Sequence, residues 1–396
     1  MKILWLGINI GPQMLEIMNS KNGKLLSAYV SHNNIVEGLD ALGVNMDSIN
    51  SYHFSPRIIK EVIPEKWSRT GTTNDISVGY KNVKYLNRLL SKKALCRETR
   101  KWAKMHVNED VTVVIYEMHS PFMAAAAEVK KIIPTAKICL IVPDLPQYMD
   151  MAMSPVKKVL KKLDWITIKR LMNRIDKYVL YAKPMADFLK LKDGQWVVME
   201  GSYNSELTVQ EDKIEKNDKI SVMYSGVLDM RYGIPELLDS MNLLDDSYEL
   251  WLTGNGNAVP LIKERATKDS RIKFYGYLPS RQDLINKQAS ATMLISPRRD
   301  TEEGSKYCFP SKLFEYMVSG NPVISCLLAG IPEEYHKHLV ELKTITAECI
   351  AETIQNVAKM TQEERNTLGE DAKKFVLDNK NKIAQANNIL EFLRNE

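Results

Sequence analysis

Short apolar runs alternate with helical stretches along almost the whole chain, and that alternation limits the fold more than any other feature. "KILWLG", "TVVIYE" from Thr112, "AKICLIV" from Ala136 and "KYVLYA" from Lys177 read as strands, with "NNIVEGLDALG" and "MAAAAEVKKII" as helices between them. Such alternation favours parallel sheets flanked by helices. After "WVVMEGSYNSE" the chain turns polar in "LTVQEDKIEKNDK", which reads as a linker, and the pattern then restarts in "ISVMYSG", "YELWLTGNG", "IKFYGY", "ATMLISP" and "PVIS". At 396 residues the chain is too long for one typical core. The expectation is an α/β protein of two Rossmann-like domains, residues 1–204 and 218–379, joined by a linker at 205–217. The helical segment 380–396 is expected to pack back on the first domain.

Composition excludes several classes. With 44% hydrophobic and 26% charged residues the chain is globular. Its net charge of +5 is only mildly basic, and it has no aromatic-basic RNA signature or zinc-finger spacing, so no nucleic-acid partner is indicated. Cys96, Cys139, Cys308, Cys326 and Cys349 are scattered without a CxxC pair. Neither a disulfide framework nor a metal knuckle follows, and a reducing cytoplasm fits best. "MKILWLGINIG" is too short for a signal peptide or a membrane span, and no apolar stretch reaches about 18 residues. The densest charge run, residues 155 to 180, sets eight basic side chains against two aspartates on an apolar-striped helix. It reads either as a solvated face or as a face for an anionic membrane surface.

In open α/β sheets ligands sit beyond the carboxyl ends of the strands, so chemistry is sought in those loops. The most specific is "YCFPSKLFEYMVSGNPVI", residues 307 to 324. Pro310 suits a first helical turn, Ser311 can cap or open the helix, and Leu313, Phe314 and Met317 are spaced to bury one face. Gly320 and Pro322 stop it. Unpaired N–H groups near Ser311 and Lys312 suit an anion. Glu315, roughly 6 Å further along the same face, could accept from the two hydroxyls of a ribose. The same segment is equally an ordinary amphipathic helix with a solvated glutamate. Three other loops carry unusual residues: Arg231 in "VLDMRYG", the Gly254/Gly256 turn in "TGNGN", and His119 in "YEMHSP", where a histidine is either structural or catalytic. There is no Asp-x-Asp metal site, no GxxxxGK[ST] loop, and no GxGxxG after the first strand. GxSxG and HExxH are missing as well.

Taken together, "YSGVLDMRYGI", "LWLTGNG", "FYGYLP", "LISPRR" and "FPSKLFEYMVSGNPVI" resemble, in order, the nucleotide-sugar domain of family 4 glycosyltransferases. Similar forms are common in bacterial cell-surface polysaccharide enzymes. The resemblance spans roughly residues 218 to 380, with a looser match in "YEMHSP" and "IVPDLP". It implies the GT-B architecture, two Rossmann-like domains facing across a cleft, the first binding acceptor and the second donor. It also implies that Glu315 holds the donor ribose, that Arg231, Lys312 and Ser311 take the diphosphate, and that Tyr277 lies where backbone meets the base. Gly226, Gly254, Phe309 and Pro310 complete the implied donor site, and His119 is the implied contact to the donor sugar. Two positions depart from the family pattern. Tyr307 stands where many members carry a second glutamate, with Glu302 or Glu303 as substitutes from the preceding loop, and Val227 stands in the place of a phosphate-loop arginine.

The implied reaction is retaining transfer without a protein nucleophile, metal or cofactor, from a nucleotide-diphosphate sugar to a glycan, with a polyprenyl-diphosphate carrier as the expected acceptor. Catalysis would rest on stabilising the diphosphate charge. The implied location is the cytoplasm, peripheral to the inner face of the membrane. Alternatives are a noncatalytic sugar-nucleotide-binding protein and a sugar-nucleotide epimerase of the same architecture. A nicotinamide-dependent dehydrogenase is disfavoured by the missing GxGxxG.

Overall fold

The computed structural model describes residues 1–21, 27–148, 155–204, 208–214, 218–298 and 304–395. They form two compact units, one of residues 1–202 with 382–396 and one of residues 203–381.

The first unit begins with β1 (Lys2–Gly7), α1 (Pro12–Ser20), α2 (Ser27–Ala41) and β2 (Met46–Asn50). Four short strands follow, β3 (Glu61–Val62), β4 (Glu65–Trp67), β5 (Asp75–Ser77) and β6 (Tyr80–Lys81). Then come α3 (Asn87–Met105), β7 (Val111–Tyr116), α4 (Ser120–Ile132), β8 (Lys137–Val142) and α5 (Pro155–Met172). The run closes with β9 (Lys177–Leu180), α6 (Pro184–Leu189) and β10 (Trp196–Val198). The main sheet is ordered β10-β9-β8-β7-β1-β2-β5-β4, with only the β4–β5 pair antiparallel, and β3 pairs with β6 in a separate ribbon. β1 is central, with Ile3 opposite Met46 on one side and Thr112 on the other. Its Leu4, Trp5 and Leu6 and all of β7 are buried, as strands covered on both faces require. The small Ala124, Ala125 and Ala126 of α4 are buried, which lets that helix pack closely against α3.

The second unit runs β11 (Ile220–Val227), α7 (Ile234–Ser240), β12 (Tyr248–Asn255), α8 (Val259–Lys268), β13 (Ile272–Gly276) and α9 (Arg281–Ala289). It continues β14 (Met293–Ser296), α10 (Lys312–Val318), β15 (Val323–Ser325), β16 (Val340–Glu341), α11 (Ala347–Lys359) and α12 (Gln362–Asn379). Its six strands are all parallel in the order β13-β12-β11-β14-β15-β16. One core gathers Leu250, Leu252, Ile262, Ile350 and Ile354, and a second gathers Leu294, Leu313, Met317, Val323 and Val376. Each such side chain contributes about 1.5–3 kcal/mol on burial. The last helix, α13 (Lys382–Arg394), packs on α2, and Lys382 pairs with Glu37 at 3.1 Å.

One expectation is corrected: the charge run is helical only to Met172, because Lys177 already enters β9. In the polar stretch, Gln282 of α9 donates to the Thr208 carbonyl at 2.8 Å and Asn286 accepts from the Gln210 N–H at 3.1 Å. Strand β2, "MDSIN", escapes a reading based on apolar runs because three of its five buried residues, Asp47, Ser48 and Asn50, are polar. Asp47 is buried there by accepting from the Trp102 indole at 2.8 Å and pairing with Lys2 at 3.0 Å.

Candidate active site

In the second unit, the ends of β11 and β12 carry two glycines with positive φ, Gly226 at 126° and Gly254 at 136°. A Cβ on Gly254 would overlap the Gly226 carbonyl oxygen, so the two strand ends can approach only as glycines. Lys312, the first residue of α10, lays its ammonium over Gly226, where a Cβ would stand 3.5 Å from Nζ. The same Nζ is 3.9 Å from the centre of the Tyr224 ring. One turn on, the Tyr316 hydroxyl donates to the Ser225 carbonyl at 2.9 Å and accepts from the Ser225 N–H at 2.8 Å, which pins α10 to β11. Burial, with the Arg298 charge adding to it and Glu315 opposing it, pushes the Lys312 amine down to about 7. A cation held at such a cost is relieved by an arriving anion.

Two guanidiniums stand close by. Arg298, after β14, lies 4.9 Å from the centre of the Tyr232 ring and Arg231 lies 5.9 Å from it. Arg231 is tied to its own turn, with Nε and Nη2 each 2.9 Å from the Asp229 carboxylate, and that pairing holds the carboxyl down at about 2. Arg298, whose charge acts directly on Lys312, is the second cation at this strand end. It was within reach of sequence reasoning, since "LISPRR" places it in the loop beyond a strand. Glu315 is partly exposed and bonded to Arg281 Nη2 at 3.1 Å. Nothing in the sequence links Arg281 to it, because the two meet only through the fold.

The remaining predicted residues take varied places. Ser311 is exposed and immediately precedes α10 with helical backbone and no side-chain capping bond, so of its two expected roles it opens the helix and does not cap it. Pro310 precedes the helix and its carbonyl accepts from the Leu313 N–H at 2.9 Å. Phe309 is a packing residue, 5.0 Å from Phe314 and 5.2 Å from Tyr335 between ring centres. Tyr277 follows β13 and is 64% exposed, and Val227 is also exposed. Tyr307 is buried. Glu302 and Glu303 lie outside the described residues.

In the first unit, His119 precedes α4 at the carboxyl end of β7. Both of its ring nitrogens are buried without a hydrogen-bond partner among the described residues. Burial first, then the neighbouring His53 and Arg88, holds its pKa well below the usual histidine value, so the ring is neutral. His53 packs edge-on against it at 4.3 Å between centroids and stands 3.4 Å from the Glu117 carboxylate. The sequence reading missed His53, because it follows the overlooked strand β2.

Residues 219–360 match the family described as glycosyl transferases group 1. No curated protein sequence matches the chain. Among solved structures, Anabaena HepE in complex with UDP superposes with a TM-score of 0.66 at 14% identity, covering 99% of both chains. Sucrose-phosphate synthase from Thermosynechococcus elongatus gives 0.63 at 16% identity over 99% of this chain and 98% of that one. The apo form of the lipopolysaccharide outer core galactosyltransferase WaaB gives 0.64 at 13% identity over 99% of both. These similarities establish the fold as GT-B, and the family match over the second unit makes the chain a glycosyltransferase.

Proposed function

We propose that the chain is a retaining glycosyltransferase that needs no metal and moves a hexose from a nucleotide-diphosphate sugar to a lipid-linked glycan in cell-surface polysaccharide synthesis. The observation that carries this reading is the Lys312 ammonium, held over Gly226 beside Tyr224 with Arg298 nearby and Glu315 one turn away. UDP is the favoured donor nucleotide, since HepE was solved with UDP and with UDP-glucose.

In the proposed step the bond from the sugar's anomeric carbon to the diphosphate oxygen breaks as the acceptor hydroxyl oxygen bonds that carbon on the same face. The acceptor's proton passes to the leaving phosphate oxygen. Lys312 and Arg298 stabilise the charge that grows on the diphosphate, with Arg231 available once it leaves Asp229. Glu315 exchanges Arg281 for the ribose hydroxyls, and His119, neutral and unpartnered, offers a hydrogen bond to the donor sugar. Tyr307 supplies no carboxylate, so Glu302 or Glu303 remains the proposed contact to the sugar hydroxyls.

The test is a thermal shift with UDP in the absence of magnesium. At a hundredfold excess over Kd, a ligand of the folded form adds about 2.7 kcal/mol of stability. Glu315→Ala should abolish most of that shift and leave the apo protein folded; an undiminished shift removes the ribose assignment. His119→Ala should keep the shift and lower turnover of UDP-sugar. Binding without any turnover across acceptors would favour a noncatalytic sugar-nucleotide-binding protein, and epimerised donor would favour an epimerase.

A further inference from the structure

The two guanidiniums beside the strand ends share one aromatic ring. Tyr232 closes the tight turn Met230–Tyr232 after β11, and the guanidinium carbons of Arg298 and Arg231 lie 4.9 Å and 5.9 Å from the centre of its ring. Like charges gathered on one ring repel. Here the repulsion is removed, because Asp229 takes Arg231 through Nε and Nη2, both at 2.9 Å, and leaves that pair without net charge. Arg298 has no carboxylate partner among the described residues and keeps its charge.

The ring is itself held in place. A Cβ on Gly233, where φ is +74°, would overlap the Pro297 carbonyl oxygen, so as glycine it lets the turn close on the loop that carries Arg298. The Tyr232 N–H donates to the Asp229 carbonyl at 2.9 Å. The Met230 N–H donates to Asn257 Oδ1 at 2.9 Å, which ties the turn to the loop after β12. The Tyr224 hydroxyl donates to the Val227 carbonyl at 2.7 Å and fixes the end of β11 from which the turn starts. The loops after β11, β12 and β14 therefore meet around Tyr232. A long arginine side chain at the start of a loop has no fixed position of its own. A carboxylate would fix it but use up its N–H donors, whereas a ring holds the cation through its π face and leaves those donors for an anion. Lys312, 3.9 Å from the centre of the Tyr224 ring, is held by the same device at the end of the same strand.

We propose that Tyr232 is a positioning residue for donor binding, its ring holding the Arg298 guanidinium where the diphosphate of a nucleotide sugar meets the strand ends. Asp229 neutralises Arg231, so that one ring can carry both. Tyr232 acts through Arg298 and not on the substrate. This role rests on the reading of these strand ends as a donor site.

The experiment is titration of UDP, and of uridine, which lacks the diphosphate, into wild type and Tyr232 variants by ligand-observed NMR. The melting temperature without ligand serves as control for fold. Tyr232→Leu should weaken UDP binding by about five- to tenfold, the range of one partly desolvated cation–π contact, and leave uridine within about twofold. Tyr232→Phe keeps the ring and should bind UDP within about twofold of wild type. Tyr232→Met is a second variant without a ring, for use should the leucine variant not fold, and the same loss is expected of it. In an Arg298→Ala background Tyr232→Leu should cost UDP nothing further, because the two side chains act as one unit. Undiminished UDP binding in the ringless variants, a phenylalanine variant as weak as the leucine one, or an equal loss of uridine overturns the role of Tyr232. So does a full further loss on adding Tyr232→Leu to Arg298→Ala, and a loss that vanishes only in an Arg231→Ala background assigns the ring to Arg231 instead. Wild type that binds no UDP removes the donor reading and this role with it, whereas UDP binding indifferent to Tyr232 removes this role alone.

Discussion

Lys312 shows how much of a site's chemistry can rest on one side chain whose surroundings the sequence does not reveal. "FPSK" announces a lysine at a helix start; only the fold sets its ammonium over Gly226 and the Tyr224 ring, where burial brings the amine down to about 7. A bound diphosphate restores the charged form and so raises that value. Binding then takes up a proton above pH 7, and affinity is greatest below it. UDP affinity should therefore fall as pH rises through about 7 to 9, by up to about tenfold per unit. Lys312→Met should bind more weakly at neutral pH and lose this dependence. Calorimetry in two buffers of different ionisation enthalpy reads the proton directly, and no proton uptake by wild type at about pH 8 would count against the role of Lys312. Arg298 and Arg281 were written in plain sight in the sequence. Arg298 could have been found as a residue beyond a strand end, whereas Arg281 and Glu315 are 34 positions apart and meet only in three dimensions.

Elements explain why the strand ends are glycines and why α10 is placed as it is. β11 and β12 pair over their whole length with Gly226 opposite Gly254, and the twist there brings one residue's Cβ position onto the other's carbonyl. Gly254→Ala combines a forbidden φ with that overlap, so it should destabilise by about 2–5 kcal/mol and displace the loop that carries Gly256. Urea unfolding measures the first, and loss of the UDP shift measures the second. A neutral substitution would show that the strand ends part more easily than this packing implies. α10 itself was predicted from Leu313, Phe314 and Met317, and all three are buried. Tyr316 was not among them. It lies three residues after Leu313, buries its ring and holds both backbone groups of Ser225.

Over the whole molecule, buried histidines set the response to acid. His32 is buried as a neutral ring that accepts from the Trp5 indole at 2.7 Å, and burial lowers its pKa to about 3; His119 is lowered well below 6.5 in the same way. Below 6.5 the unfolded chain binds protons at these positions that the folded chain refuses, so stability is full above that pH and is lost as pH falls toward the folded values. Each group contributes a slope of up to about 1.4 kcal/mol per pH unit. Urea midpoints between about pH 6.5 and 4.5 should fall less steeply in His32→Gln, which keeps an acceptor for Trp5, than in wild type. Equal slopes would mean His32 is protonated in the fold. The sequence by itself determined the two α/β halves, most of their central strands and the order of the loops beyond them, because apolar periodicity and glycine stops are local properties of the chain. Tertiary structure alone decided β2, the tyrosine and arginine neighbours of Lys312, the pairing of Arg281 with Glu315 and the His53–His119 contact. Those features depend on burial and on partners distant in sequence, and a side chain's charge and exposure are fixed by what the fold brings around it.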